Sequence, residues 1–149
     1  MRLALYQPDI PQNAGAIMRL AACFSTPVDV IEPCGFVLSD QRMRRAGMDY
    51  VDLVDWTRHA SWQQFLSDRS PGRLVLLTTR AEATLDAFSF QPDDTLLFGR
   101  ESAGVPDDVH AAADMHLRVP IADQARSLNV ATTAAIVLWE ALRQTGGTP

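Results

Sequence analysis

Lysine is missing from this chain. All 13 basic residues are arginine, which removes Schiff-base chemistry at a lysine amine and the lysine of a phosphate-binding P-loop. Cysteine is scarce: Cys23 and Cys34 are too few for a disulfide framework and lack metal-ligand spacing, so both are expected to be inert reduced thiols. His59, His110 and His116 are scattered, and no metal site is expected. No run of about 18 apolar residues occurs, and Met1-Arg2-Leu3-Ala4-Leu5-Tyr6 has the character of a strand rather than of a signal peptide. The expectation is a cytoplasmic protein with no membrane partner. Gly-x-Gly-x-x-Gly is absent too, which counts against a dinucleotide fold.

What is present suits one ordinary globular domain. The chain has 149 residues, 47% apolar and 21% charged, enough to bury a real core. The expected domain spans residues 1–149, with 146–149 as a loose tail. Net charge is −5, which argues weakly against a nucleic-acid partner. Arg42, Arg44 and Arg45 form the one basic cluster, either a solvated helix face or a phosphate contact.

Apolar runs alternate with helical spacings. Leu3 to Tyr6, Val28 to Ile31, Leu74 to Leu77 and Thr95 to Phe98 predict strands, with shorter ones at residues 51–54 and 117–119. Ile17, Leu20, Ala21 and Phe24 fit a helix with a cap expected at Asn13. Further helices are expected at residues 40–46, from Ser61 or Ala60, near Pro106, and from Ser127 as N-cap to Leu142. The pattern predicts an α/β fold with a mainly parallel sheet and flanking helices.

Chemistry concentrates at three junctions. Asn13-Ala14-Gly15 precedes Arg19, for which Gly15 leaves room one turn back; a plain surface arginine is the alternative. Gly99-Arg100-Glu101-Ser102-Ala103-Gly104 follows a buried strand, where parallel sheets bind ligands, although a simple turn would explain the glycines. Its Gly-x-x-x-x-Gly spacing lacks the Lys-Ser or Lys-Thr of a P-loop, so nucleotide triphosphates are rejected. Arg126-Ser127-Leu128-Asn129 opens the longest apolar helix, whose unpaired N–H groups suit a ligand. Thr78-Thr79-Arg80 is a further strand-end loop.

Together these residues resemble the SPOUT superfamily of knotted RNA methyltransferases, and within it the small TrmL (YibK-like) type. The likeness runs nearly end to end: Leu5-Tyr6 with Pro8, Ile10-Pro11-Gln12-Asn13, Ile31-Glu32-Pro33 with Gly35-Phe36, and Arg44-Arg45-Ala46-Gly47. It continues through Leu77-Thr78-Thr79, Phe98-Gly99 with Glu101, Arg126-Ser127-Leu128-Asn129 and Glu140-Ala141-Leu142-Arg143-Gln144. The resemblance implies a C-terminal deep trefoil knot, which is rare among folds, a homodimer through the knot region and last helix, and S-adenosylmethionine as methyl donor with no metal. It implies 2′-O-methylation of the wobble nucleotide of tRNA, leucine isoacceptors among them, with S-adenosylhomocysteine as product. The apolar circumference of the last helix (Ala134, Ala135, Ile136, Val137, Leu138, Trp139) independently suits a dimer.

By position, the donor is expected against Leu77, Thr78, Gly99, Gly104, Val119, Ile121, Ser127 and Leu128. Arg19, Asn13, Glu101, Ser127 and Asn129 are the expected catalytic neighbourhood, and Arg19, Arg42, Arg44 and Arg45 the expected RNA contacts. The family role for the arginine is that of a base. A guanidinium is effectively always protonated, so Arg19 is better read as fixing a phosphate and lowering the hydroxyl's pKa through its field. Two departures stand beside these matches: Ala131-Thr132 where the type has Ser-Asn, and Arg100 where it has proline. The Ala131-Thr132 change leaves open a catalytically silent RNA- or donor-binding dimer, and methylation of another RNA position is a further alternative. An α/β domain binding a small acidic metabolite through arginines is a third reading.

Overall fold

The computed structural model describes residues 1–38 and 53–149. The short helix expected at residues 40–46, with Arg42, Arg44 and Arg45, lies outside the described residues, as do Val51 and Asp52 of the expected strand at 51–54, while Leu53 and Val54 are described and belong to no strand. Strands form where the apolar runs predict them: β1 (Arg2–Tyr6), β2 (Val28–Ile31), β4 (Leu74–Leu77) and β5 (Thr95–Phe98). Two more complete the sheet, β3 (Trp56–His59) and β6 (Met115–Leu117). The described strands pair throughout in parallel, in the order β3-β2-β1-β5-β4-β6. Chain order changes direction at the β1–β5 pair, the position where open α/β sheets form a ligand crevice.

Alternation along the strands separates the two faces of the sheet. Leu3 and Leu5 point to a core shared with Ile17, Met18 and Ala21 of α1 (Pro11–Cys23) and Val137, Leu138 and Ala141 of α4 (Val130–Thr145). Ala4, Tyr6, Leu76 and Leu97 pack on the other side against Trp62 and Phe65 of α2 (Trp62–Asp68) and Val109 of α3 (Asp107–Ala112). The second face also buries a charged cluster. Asp29, 3% exposed, accepts Arg2 Nε on Oδ2 at 2.9 Å and Arg2 Nη2 on Oδ1 at 3.1 Å, with His59 Nε2 2.9 Å from that same Oδ1.

Several boundaries differ from the sequence reading. Strand β6 ends at Leu117, leaving Val119 in the loop beyond it. Ser61 caps α2 as expected, accepting the Gln64 N–H. Ser127 does not cap α4: the cap is Asn129, whose side chain accepts the Ala131 and Thr132 amides. Asn13 is not a cap either, because α1 already begins at Pro11, whose missing N–H costs nothing in a first turn. Both asparagines are thereby placed at helix entries beside one another, the Asn129 side-chain amide donating to Asn13 Oδ1 at 2.9 Å.

Candidate active site

Leu77, Phe98 and Leu117 end their strands in register, Leu77 opposite both others. Beyond them opens a cavity of about 730 Å³. Its floor is Leu76, Leu77, Phe98 and Leu117; its walls are Thr78, Thr79 and Arg80, the loop from Gly99 to Val105, and Arg118, Val119 and Ile121. Residues 127–130 and Thr133 close it from the α4 side, with Ile10 and Asn13 at the entry of α1. The eight positions expected to hold the donor therefore line one space, as do Asn13, Glu101, Ser127 and Asn129. Arg19 does not. It is exposed on α1, roughly 9 Å along the axis from Asn13 at the rise of a regular helix.

The β5 loop is shaped by two glycines. Arg100 and Gly104 exchange backbone hydrogen bonds at 2.9 and 2.8 Å, and a Cβ on Gly99 would lie 2.8 Å from the Gly104 carbonyl carbon. Gly104 itself has φ +66, in the left-handed region that favours glycine. This tight turn presents Glu101, whose Oε1 accepts the Asn13 side-chain amide at 3.1 Å. Hydrogen bonds thus run from Asn129 through Asn13 to Glu101.

Asp9 continues the chain, and nothing in the sequence singled it out. Its backbone N–H donates to Glu101 Oε2 at 3.0 Å, and the Glu101 N–H donates back to Asp9 Oδ1 at 3.1 Å. The Ser102 hydroxyl donates to Asp9 Oδ2. Bonding to the Glu101 and Ser102 side chains, opposed by burial, holds the Asp9 carboxyl down at about 2. Burial first, and then Asp9, pushes the Glu101 carboxyl upward. Such an opposed pair of carboxyl groups beside a cavity is characteristic of functional sites.

The departures noted in the sequence fall in different places. Ala131 and Thr132 do not line the cavity; Val130 and Thr133 do. Arg100 lines it and turns toward Asp9, its Nε 3.8 Å from Oδ2. Thr133, Leu117 and Arg118 are lining residues that sequence reasoning missed; the strand-end rule would have reached the last two had β6 been placed correctly. Among the described residues, no group of three or more His, Cys, Asp or Glu is assembled to hold a metal ion. No helix among them is long and apolar enough to cross a membrane.

Known proteins share this fold. The profile of the SpoU rRNA Methylase family matches residues 1–139. A relative from Beijerinckia indica subsp. indica, named a tRNA (cytidine(34)-2'-O)-methyltransferase, is 55% identical over 97% of this chain and 91% of its own length. A solved structure described as concerning the 2-OH methylation of C/U34 on tRNA superimposes with a TM-score of 0.89 at 42% identity, covering 96% of this chain and 94% of that one. The AdoMet-bound rRNA methyltransferase from Sinorhizobium meliloti gives a TM-score of 0.84 at 25% identity, over 95% of this chain and 55% of that one. With the family profile, the fold and sequence similarity over nearly the full length in agreement, the chain belongs to the SpoU rRNA Methylase family.

Proposed function

We propose that this chain, acting as a single domain, transfers a methyl group from S-adenosylmethionine to the ribose 2′-oxygen of nucleotide 34 in tRNA. The observation that carries the reading is the convergence of Leu77, Gly99, Val119 and Leu128 on one cavity beside Glu101, in a chain 55% identical to a relative named for that reaction. The cavity suits the donor. Its volume falls in the range of roughly 300–1,000 Å³ usual for small-molecule sites. Leu77, Val119, Ile121 and Leu128 offer apolar contact for a purine face. When bound, S-adenosylmethionine supplies a methyl carbon activated by its sulfonium, leaving S-adenosylhomocysteine as product.

The chain's own residues would align and deprotonate the hydroxyl, the two requirements of an in-line attack. Asn13, Ser127 and Asn129 bound the space in which the ribose must sit. Arg19, off the cavity, is assigned to the neighbouring phosphate together with Arg42, Arg44 and Arg45. Family membership carries with it the deep trefoil knot of the C-terminal portion. A homodimer is part of the same reading: Ile136 and Trp139 of α4 are 39% and 50% exposed, three residues apart on one face.

The alternative of a silent dimer rested on Ala131-Thr132, and those residues lie off the cavity. Incubation with unmodified tRNA transcripts and donor, followed by mass mapping of ribose methylation, tests the proposal. A single methyl at the 2′-oxygen of nucleotide 34 is expected. Binding of tRNA and S-adenosylhomocysteine with no transfer, or a methyl at another position, would overturn it.

A further inference from the structure

Removing the ribose proton requires an acceptor, and the cavity narrows the choice. Its ionisable lining residues, among those described, are Arg80, Arg100, Glu101 and Arg118. Guanidinium groups stay protonated at any working pH. Among the described lining residues, Glu101 is the one that can be a net proton acceptor near neutrality. Each of its oxygens already accepts one hydrogen bond, Oε1 from Asn13 and Oε2 from the Asp9 backbone. A carboxylate has about four lone-pair sites, so capacity remains for a hydroxyl.

Asp9 does not line the cavity, yet it fixes this carboxylate from behind. The two residues exchange backbone-to-side-chain bonds in both directions. The approach is close: a Cβ at Gly35 would lie 2.7 Å from Asp9 Cβ, and the Gly35 N–H donates to the Pro8 carbonyl at 2.9 Å. Three segments, around residues 9, 35 and 101, are thereby locked together.

We propose that Glu101 takes the proton of the ribose hydroxyl and that Asp9 is its positioning residue, holding the carboxylate at the cavity and keeping a negative charge beside it. This rests on the methyl-transfer reading above. In the step, the O2′–H bond breaks with its proton passing to a Glu101 oxygen while the O2′–methyl bond forms. The electron pair of the methyl–sulfur bond stays with sulfur.

The charges facing Glu101 give the pair its direction. Asp9 ionises first, held down at about 2. Arg100 is the cation beside Asp9, at 3.8 Å and beyond hydrogen-bond distance. The Cys34 thiol, pushed up to about 12 mainly by burial, is neutral there. Burial and the hydrogen bond to the Asp9 side chain both favour the proton on Glu101, which makes its carboxylate a better acceptor than an exposed glutamate.

Carbon-detected NMR titration of the side-chain carboxyls reads this directly in the ligand-free protein. The chain has four glutamates, so the Glu101 signal is assigned by its loss in Glu101→Gln. Its midpoint should lie above those of the other three and fall in Asp9→Asn. In Glu101→Gln the Asp9 midpoint should rise, a reciprocal measurement that stands should Asp9→Asn fail to fold. Methyl transfer by Glu101→Gln should drop by about 100-fold or more, with S-adenosylhomocysteine affinity by calorimetry kept within about threefold of the parent. Asp9→Asn should lose less, and the acid limb of its single-turnover pH profile should move to lower pH with the Glu101 midpoint. A purely structural Asp9 would lower the rate and leave that limb in place. Unmoved midpoints, or Glu101→Gln retaining more than a tenth of the parent rate, would overturn the proposal. A parent protein without transfer would sink the methyl-transfer reading instead, while the titrations still decided the pairing.

Discussion

Asp29 and Glu101 are both carboxylates drawn into the fold, one under the β2–β3 side of the sheet and one beside the cavity, and they are partnered in opposite ways. Asp29 meets cation donors: two guanidinium N–H groups of Arg2, one on each oxygen, with the His59 ring on Oδ1 as well. Asp94 repeats the pattern, fully buried and held by Arg73 Nε and Nη2 at 2.8 and 2.7 Å. Glu101 meets an amide, a backbone N–H and a second carboxylate. The first arrangement compensates a buried charge. The second lets two carboxyl groups share one proton, with Asp9 held down and Glu101 pushed up, an arrangement that a proton acceptor can use.

Breaking each cluster should therefore have different consequences. The largest expected effect is from Asp29→Ala, which leaves Arg2 and His59 uncompensated and should lower unfolding free energy by about 3 kcal/mol or more in denaturant titrations. Glu101→Gln, measured the same way, should change it by less than about 1 kcal/mol. Equal losses would erase the contrast. Next comes Gly99→Ala, whose Cβ would press on the Gly104 backbone; S-adenosylhomocysteine affinity should fall by about tenfold, roughly 1.4 kcal/mol in calorimetry. Gly104→Ala meets no atom within 4 Å, so its cost is backbone strain of about 1 kcal/mol, read in stability more than in binding. Arg19→Lys should keep measurable transfer, because a phosphate-holding cation tolerates the exchange better than a base would. Complete loss with RNA binding intact would contradict that role. Ala131→Ser, off the cavity, should change donor affinity by no more than about twofold.

How much of this was legible in the sequence follows burial. Residues 28–31, 74–77 and 95–98 are strands with the expected bounds, because central parallel strands covered on both faces are written as nearly continuous apolar runs. Strand β3, Trp-Thr-Arg-His, was invisible: as an edge strand it exposes Thr57 and Arg58, and main-chain pairing with β2 holds it. The cap expected at Ser127 failed for a related reason. Ser127 and Asn129 are both good capping types, and the choice was made by a long-range bond from Asn129 to Asn13. Glu101 could be read from the glycines around it. Asp9 could not, since a contact across 92 positions leaves no local mark.

The most direct test of the central claim, that one strand-end cavity holds the donor against Glu101, is a crystal structure of the protein with S-adenosylhomocysteine. The adenosyl group should lie between Leu77, Val119 and Leu128, with the sulfur turned toward the Asn13–Glu101 side. Ligand bound elsewhere, or lodged there with its sulfur directed away from Glu101, would contradict it.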